Sequence, residues 1–304
     1  MIPLLFAAAL IDTVPLIDDS SWNTIFIHEW GVVTLGEQLV SGSVPDEYTF
    51  EFDSPASLDD KAPVVTFYGS PFTDALFSVE LHTGRFTEAS PLPEGSSLYD
   101  RVLQWDIASA ENMGESYEIP ASSLPESRSS SGWAYDDWRD GQAHVLEFAG
   151  SIVDRFIYYE CSIPFGPDDP FFPFDPGRGV HRDFEGQVLV FEPGSSDGMR
   201  IFLCGNDEIA ASSDLMEPYS RDAVLDILCS WSSGRLKSDE INDMWEAWET
   251  WVLTEQWTGD RLLVFELPLH AIERISTLNL ETNGTQEISI ERFYLGMSPF
   301  YFTF

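Results

Sequence analysis

The 304-residue chain lacks the short motifs that would announce a mechanism. There is no G-x-x-x-x-G-K-[ST] or G-x-G-x-x-G, so no glycine loop is set to cradle a phosphate or dinucleotide. The one G-x-S-x-G, Gly194-Ser195-Ser196-Asp197-Gly198, falls between two predicted strands and not at the strand-to-helix turn that presents a serine nucleophile, and there is no H-E-x-x-H to place two histidines on one helix face. Positive charge is scarce: 15 Lys plus Arg stand against 52 Asp plus Glu, a formal net charge of −37. A surface this negative repels phosphate, which excludes nucleic acid and disfavours anionic membranes while favouring cations and basic proteins. The acids are dispersed along the chain, the pattern of a solvated surface suited to a salty medium. Cys161, Cys204 and Cys229 are few, widely spaced and odd in number, so neither a zinc knuckle nor a disulfide framework is encoded. Cys161 and Cys204 each end a predicted strand and are the pair an oxidising compartment would join; buried free thiols are the alternative.

Long apolar runs are missing too. The first sixteen residues carry IPLLFAAAL, at about ten apolar residues too short to span a bilayer. With Ala7 and Ala9 in the pattern that precedes cleavage, residues 1–21 read as a signal peptide without a basic n-region, or else as an apolar N-terminal strand. No other segment is a transmembrane candidate. Residues 22–304, within a chain that is 43% apolar, are expected to form one domain.

What is present is clearest from Ser238 to Leu267. Ile241, Met244, Trp245, Trp248, Trp251 and Val252 recur at helical spacing, with the acids largely on the other faces, which predicts an amphipathic helix. Ser238 is the expected N-cap, with Asp239 and Glu240 at the positive end of the helix dipole. Thr258-Gly259-Asp260 then turns into Leu262–Leu267, a run that suits a strand covered on both faces and forms the sheet on which the helix packs. By size and spacing the tryptophans are expected to form a core, the other reading being an aromatic platform on which a sugar or peptide stacks. Trp257 lies beyond the stripe and is the candidate for an exposed aromatic that stacks on a ligand.

Upstream the chain is rich in strands. Thr24–Leu35 alternates, placing Phe26, His28, Trp30 and Val32 on one face and Ile25, Ile27, Glu29 and Val33 on the other. His28 and Glu29 thus point in opposite directions and cannot form a two-ligand site together. Strands are also expected at 62–68, 76–82, 85–89, 102–107, 142–148, 153–161, 187–192, 199–204, 276–282 and 286–295. Thr83-Gly84, the Pro193–Gly198 loop and Asn283-Gly284 are read as hairpin turns. Residues 122–132 form a Ser-rich loop, and the prolines of 163–184 argue against regular structure. A helix over 221–231 makes a pair with the tryptophan helix. The order predicts an α+β, mostly β fold: antiparallel, sandwich-like sheets with a C-terminal helical pair near 221–254 packed on a sheet.

Candidate chemistry is sparse. A polar side chain on an apolar strand must be paired, which singles out His28 and Glu29 as catalytic candidates; a satisfied structural role is the other reading. His28, His82 and His144 each fall on or beside a predicted strand, so a transition-metal site assembled at one sheet edge is conceivable, with Glu29 behind the ligands. Asp168, Asp169 and Asp175 offer oxygens to Ca²⁺ without matching a known loop, so no motif requires a cofactor. Phe171 and Phe172 either anchor the proline loop on the core or line a binding groove.

His28–Gly31, with Pro63–Tyr68, Gly84–Pro91, Arg155–Tyr159 and Met244–Leu267, resembles an uncharacterised family of exported bacterial proteins that open their mature region with a His-Glu-Trp-Gly strand. These blocks cover about a third of the chain, and Thr83-Gly84 stands where the family pattern has paired glycines. The resemblance implies an exported protein (periplasmic, cell-surface or extracellular) folded as one unit, and brings no activity with it. The leading expectation is a non-catalytic binding or structural protein acting on a surface glycan or protein partner. The alternative is a metal-dependent hydrolase with histidines from separate strands.

Overall fold

Strand β1 (Thr24–Leu35) is the spine of the molecule, flanked on one side by the antiparallel β2 (Ser57–Gly69) and on the other by the C-terminal β16 (Glu287–Phe300), to which it runs parallel. The computed structural model describes residues 23–35, 57–124, 142–149, 151–164, 172–175, 179–194, 198–211, 213–254, 257 and 259–302. Within these lie β3 (Phe72–Leu81), β4 (Arg85–Ser90), β5 (Val102–Glu111), β6 (Val145–Phe148), β7 (Val153–Asp154) and β8 (Phe156–Pro164). They are followed by β9 (Phe174–Asp175), β10 (Gly179–Val180), β11 (Gln187–Pro193), β12 (Met199–Gly205) and β13 (Glu217–Pro218). The helices are α1 (Arg221–Ser232), α2 (Ser238–Leu253) and α3 (Leu269–Ile275), and β14 (Arg261–Glu266) and β15 (Ser276–Glu281) complete the set.

The strands form a nine-stranded sheet in the order β13-β12-β11-β14-β16-β1-β2-β8-β4 and a five-stranded sheet, β15-β3-β5-β6-β7. Apart from β1–β16, the ladders in both are antiparallel. The two faces of the large sheet see different partners. Ile25, Ile27, Val65, Phe67 and Phe265 pack with Phe77, Val79 and Trp105 of the small sheet, making the sandwich core. Trp30, Val32, Val264 and Leu295 pack instead with Leu228 of α1 and Met244, Trp245 and Trp248 of α2. The molecule is therefore layered helices, large sheet, small sheet: the expected α+β, mostly β architecture, with the helical pair on a sheet.

The alternation in β1 decides this arrangement, because each parity feeds a separate core. Between the paired helices, Arg221 of α1 reaches Glu249, Asn242 and Glu246 of α2, at 2.5, 3.0 and 3.2 Å. Trp245 stacks on Phe191 with ring centroids 5.7 Å apart and donates its indole N–H to Tyr219.

Several expectations are corrected. The Thr83-Gly84 and Asn283-Gly284 turns do not close hairpins: β3 and β15 pair with each other in the small sheet, while β4 and β16 belong to the large one. Both turns carry the chain across the sandwich, because the apolar residues on their two sides are needed in different sheets. Gly84 has φ +79°, and a Cβ there would lie 2.2 Å from the Ser162 carbonyl oxygen, so the crossing needs a bare backbone. The β11–β12 hairpin forms as expected. Prolines do not abolish order in the 163–184 stretch, where β9 and β10 pair as a two-residue ladder. Residues 125–132 of the Ser-rich loop lie outside the described residues, as does the N-terminal segment 1–21. The three cysteines are free thiols. Cys161 on β8 and Cys204 on β12 are six strand positions apart in one sheet, which at ~4.8 Å per strand is far beyond disulfide reach.

A polar joint at the His-Glu-Trp-Gly strand

The four residues His28, Glu29, Trp30 and Gly31 each meet a different part of the fold. His28 faces the helices. Its Nδ1 lies 2.7 Å from Glu240 Oε2, in the first turn of α2. The hydroxyl of Thr66, His28's cross-strand neighbour on β2, donates to Glu240 Oε1 at 2.7 Å. The same carboxylate reaches back to accept the N–H of Lys237 at 2.9 Å, which makes Lys237 the N-cap and Ser238 the first helical residue, one position earlier than expected. Glu240 thus caps the helix and fastens it to the sheet at once.

Burial pushes the Glu240 carboxyl up, but His28 and the hydrogen bonds from His28, Lys237 and Thr66 outweigh it and hold the group below the usual range. Tyr68 completes the joint. Its ring centroid is 4.9 Å from that of His28, and the Lys237 ammonium sits 3.7 Å from its centroid on the ring face. Burial, with the negative charge of Glu240 behind it, raises the Tyr68 phenol well above its ordinary value.

Glu29 faces the sandwich core and is fully buried. Arg292 Nε donates to its Oε2 and Tyr159 to its Oε1, both at 2.5 Å. The remaining Arg292 nitrogens donate to the carbonyl and hydroxyl of Ser276, at 2.8 and 2.7 Å. Burial disfavours the guanidinium charge, but Glu29 more than offsets it and raises the Arg292 pKa. Glu29 lies on β1, Arg292 on β16, Tyr159 on β8 and Ser276 on β15, so this network ties both sheets together. Trp30 enters the helix-side core. A Cβ on Gly31 would come within 2.7 Å of the ring of Tyr294, its register partner on β16, so the glycine makes room for that ring.

The strand positions His28 and Glu29 back to back as expected, yet their partners, Glu240 and Arg292, were not foreseen. Glu240 carried only the signal of an acid in a first helical turn, and Arg292 that of a lone cation in an alternating strand. The three histidines do not assemble. His82 is exposed and hydrogen-bonded to Thr277 Oγ1 at 2.7 Å, while His144 is buried and donates from Nε2 to the Gly69 carbonyl at 3.1 Å. Among the described residues no group of three His, Cys, Asp or Glu is placed to hold a metal ion.

Trp257 is not an exposed platform. Its indole N–H donates to the Val252 carbonyl at 3.0 Å, folding it back over the end of α2, where it is 8% exposed in the helix-side core. Phe172 is an anchor, buried beside Phe174 between the layers. Phe171, Asp168 and Asp169 lie outside the described residues.

The site defines a three-layer β-sandwich with a helical cover, joined by two buried polar networks on opposite faces of one strand. Comparison with protein-family models, curated proteins and solved structures finds no match for this chain.

Proposed function

We propose that the protein is an exported, non-catalytic binding protein whose partner is a basic protein surface, docked on the outer face of the five-stranded sheet. The observation that carries this is compositional and spatial together: β3, β5, β6, β7 and β15 contain no Lys or Arg. Exposed on them are Glu80, Asp106, Glu147 and Glu281. A cleft of about 510 Å³ opens at one end of this face, lined by Asp74, Leu76, Asp106, Ala149, Glu281 and Asn283. A face of one sign steers an oppositely charged partner and speeds its encounter.

The non-catalytic part of the reading is supported by the use made of Glu29, whose two oxygens are both engaged in holding the layers together. Export is supported by the apolar composition of residues 2–10 and by the family resemblance. Among the described residues no helix is long and apolar enough to cross a membrane.

The test is titration calorimetry of the full chain with a lysine-rich peptide at low and high NaCl. Binding should weaken with salt and fall in an E80Q/D106N/E281Q variant, while neutralising Glu94 and Glu185, exposed elsewhere, should leave it nearly intact. Equal losses from both sets of substitutions would mean that the whole acidic surface attracts the peptide without a docking face.

A further inference from the structure

The ionised carboxylate of Glu240 is acceptor-only, so each polar group that meets it must donate. Lys237 N–H and the Thr66 hydroxyl do so, and His28 Nδ1, 2.7 Å from Oε2, must do the same. In the neutral imidazole the single ring proton is therefore on Nδ1, and Nε2 carries the lone pair. Nε2 makes no hydrogen bond with any described residue, and it is not among the sealed polar atoms of the structure. The side chain is 11% exposed, enough for contact at one ring edge. His144 is the opposite case: it spends Nε2–H on the Gly69 carbonyl and is 2% exposed.

We propose that Nε2 of His28 is a proton-accepting ligand site, oriented by Glu240, that takes a neutral ligand donating a hydroxyl or amide hydrogen. The Lys237 ammonium over the neighbouring Tyr68 ring opposes a cationic ligand, and the carboxylates of Glu240 and Asp239 at the same helix end oppose an anionic one. A carboxylate behind a histidine fixes its tautomer and ring orientation, which leaves the far nitrogen of the neutral ring as the acceptor that a ligand site requires. The site lies on the helix side of the large sheet, remote from the acidic sheet face, and stands or falls independently of it.

The experiment is histidine-resolved ¹⁵N NMR on the full chain at pH 7.5, combined with carbethoxylation by diethyl pyrocarbonate. His28 should be in the Nδ1–H form and should be modified at Nε2 more rapidly than His144. Acetamide, an uncharged amide donor, should move the His28 Nε2 resonance in a concentration-dependent way and leave His144 in place. Glu240→Gln should lose the tautomer preference, because the amide can donate as well as accept. Thr66→Val, which loosens the same joint without touching the His28–Glu240 contact, should keep it. A proton on Nε2, protection of His28 equal to that of His144, or an Nε2 resonance indifferent to acetamide would each overturn the proposal.

Discussion

Gly31 and Tyr294 face each other across the parallel ladder, with so little room that one methyl on the glycine would meet the tyrosine ring. Gly31→Ala should cost ~1–3 kcal/mol through overpacking, and Tyr294→Leu should recover part of that loss in a double-mutant cycle read by urea unfolding. Additive losses would mean that the strand shifts and the contact is not the constraint. The Glu29–Arg292 pair makes a sharper claim. Removing one partner strands a buried charge, so Arg292→Met should cost ~3–5 kcal/mol, with Glu29→Gln in the same background regaining some of it. If Arg292→Met alone were nearly neutral, the network would not be holding the two sheets.

At the scale of elements, α2 is the informative one. Trp245, fully buried, stacked on Phe191 and hydrogen-bonded to Tyr219, should cost ~3–5 kcal/mol on change to Ala. Trp257→Ala should also destabilise, by less, since that ring keeps some contact with solvent; the larger loss at Trp257 in thermal melts would misplace the weight of the helix-side core.

The helix also carries two carboxyls with opposite responses to pH. The Asp243 carboxyl is pushed up to about 6, first by burial and then by Asp239, Glu246 and Glu240. A raised carboxyl pKa means that the folded state holds its proton more tightly, so its contribution worsens as pH rises from ~4 to ~6. Asp243→Asn should therefore raise the melting temperature at pH 7.5, with the gain shrinking towards pH 4. For Glu240 the folded value is lowered, so its contribution is complete above the unfolded value of ~4.3 and is lost as pH falls through the folded one. Glu240→Gln should accordingly destabilise most near neutrality. A pH-independent difference from wild type in both variants would remove the charge argument.

Across the whole molecule the net charge of −37 sets the response to salt. If the dispersed acids repel one another on a solvated surface, screening should stabilise the fold, and the melting temperature should rise with NaCl towards 1 M, where the Debye length is ~3 Å. A flat or falling curve would mean that specific pairs, such as Arg221 with Glu249 and Arg235 with Glu266, outweigh the general repulsion. The sandwich itself depends on the pairing of β1 with β16, which brings the first and last described strands together in the middle of the large sheet. Loss of β16 should thus unfold both cores, since each contains residues from it: Phe293, Leu295 and Met297 on the helix side, Tyr294 and Phe300 on the other.

The strands, the two long helices, the division of β1 into two faces and the burial of Trp245 and Trp248 were determined by the sequence alone, because periodicity is local: a period of two or 3.6 residues fixes which side chains share a face before any partner is chosen. The hairpins show where that ends. Thr83-Gly84 and Asn283-Gly284 have turn chemistry, but which strand pairs with which depends on where the apolar faces are needed, and that is settled across the sandwich. The same holds for the polar joint. His28 and Glu29 stood out as polar residues in an apolar strand, yet Glu240 is 212 residues from His28 and Arg292 is 263 from Glu29. Such partners answer a requirement that burial imposes on each charge, and only the tertiary structure decides which distant group meets it, because proximity in space is set by the packing of layers and leaves no trace in local spacing.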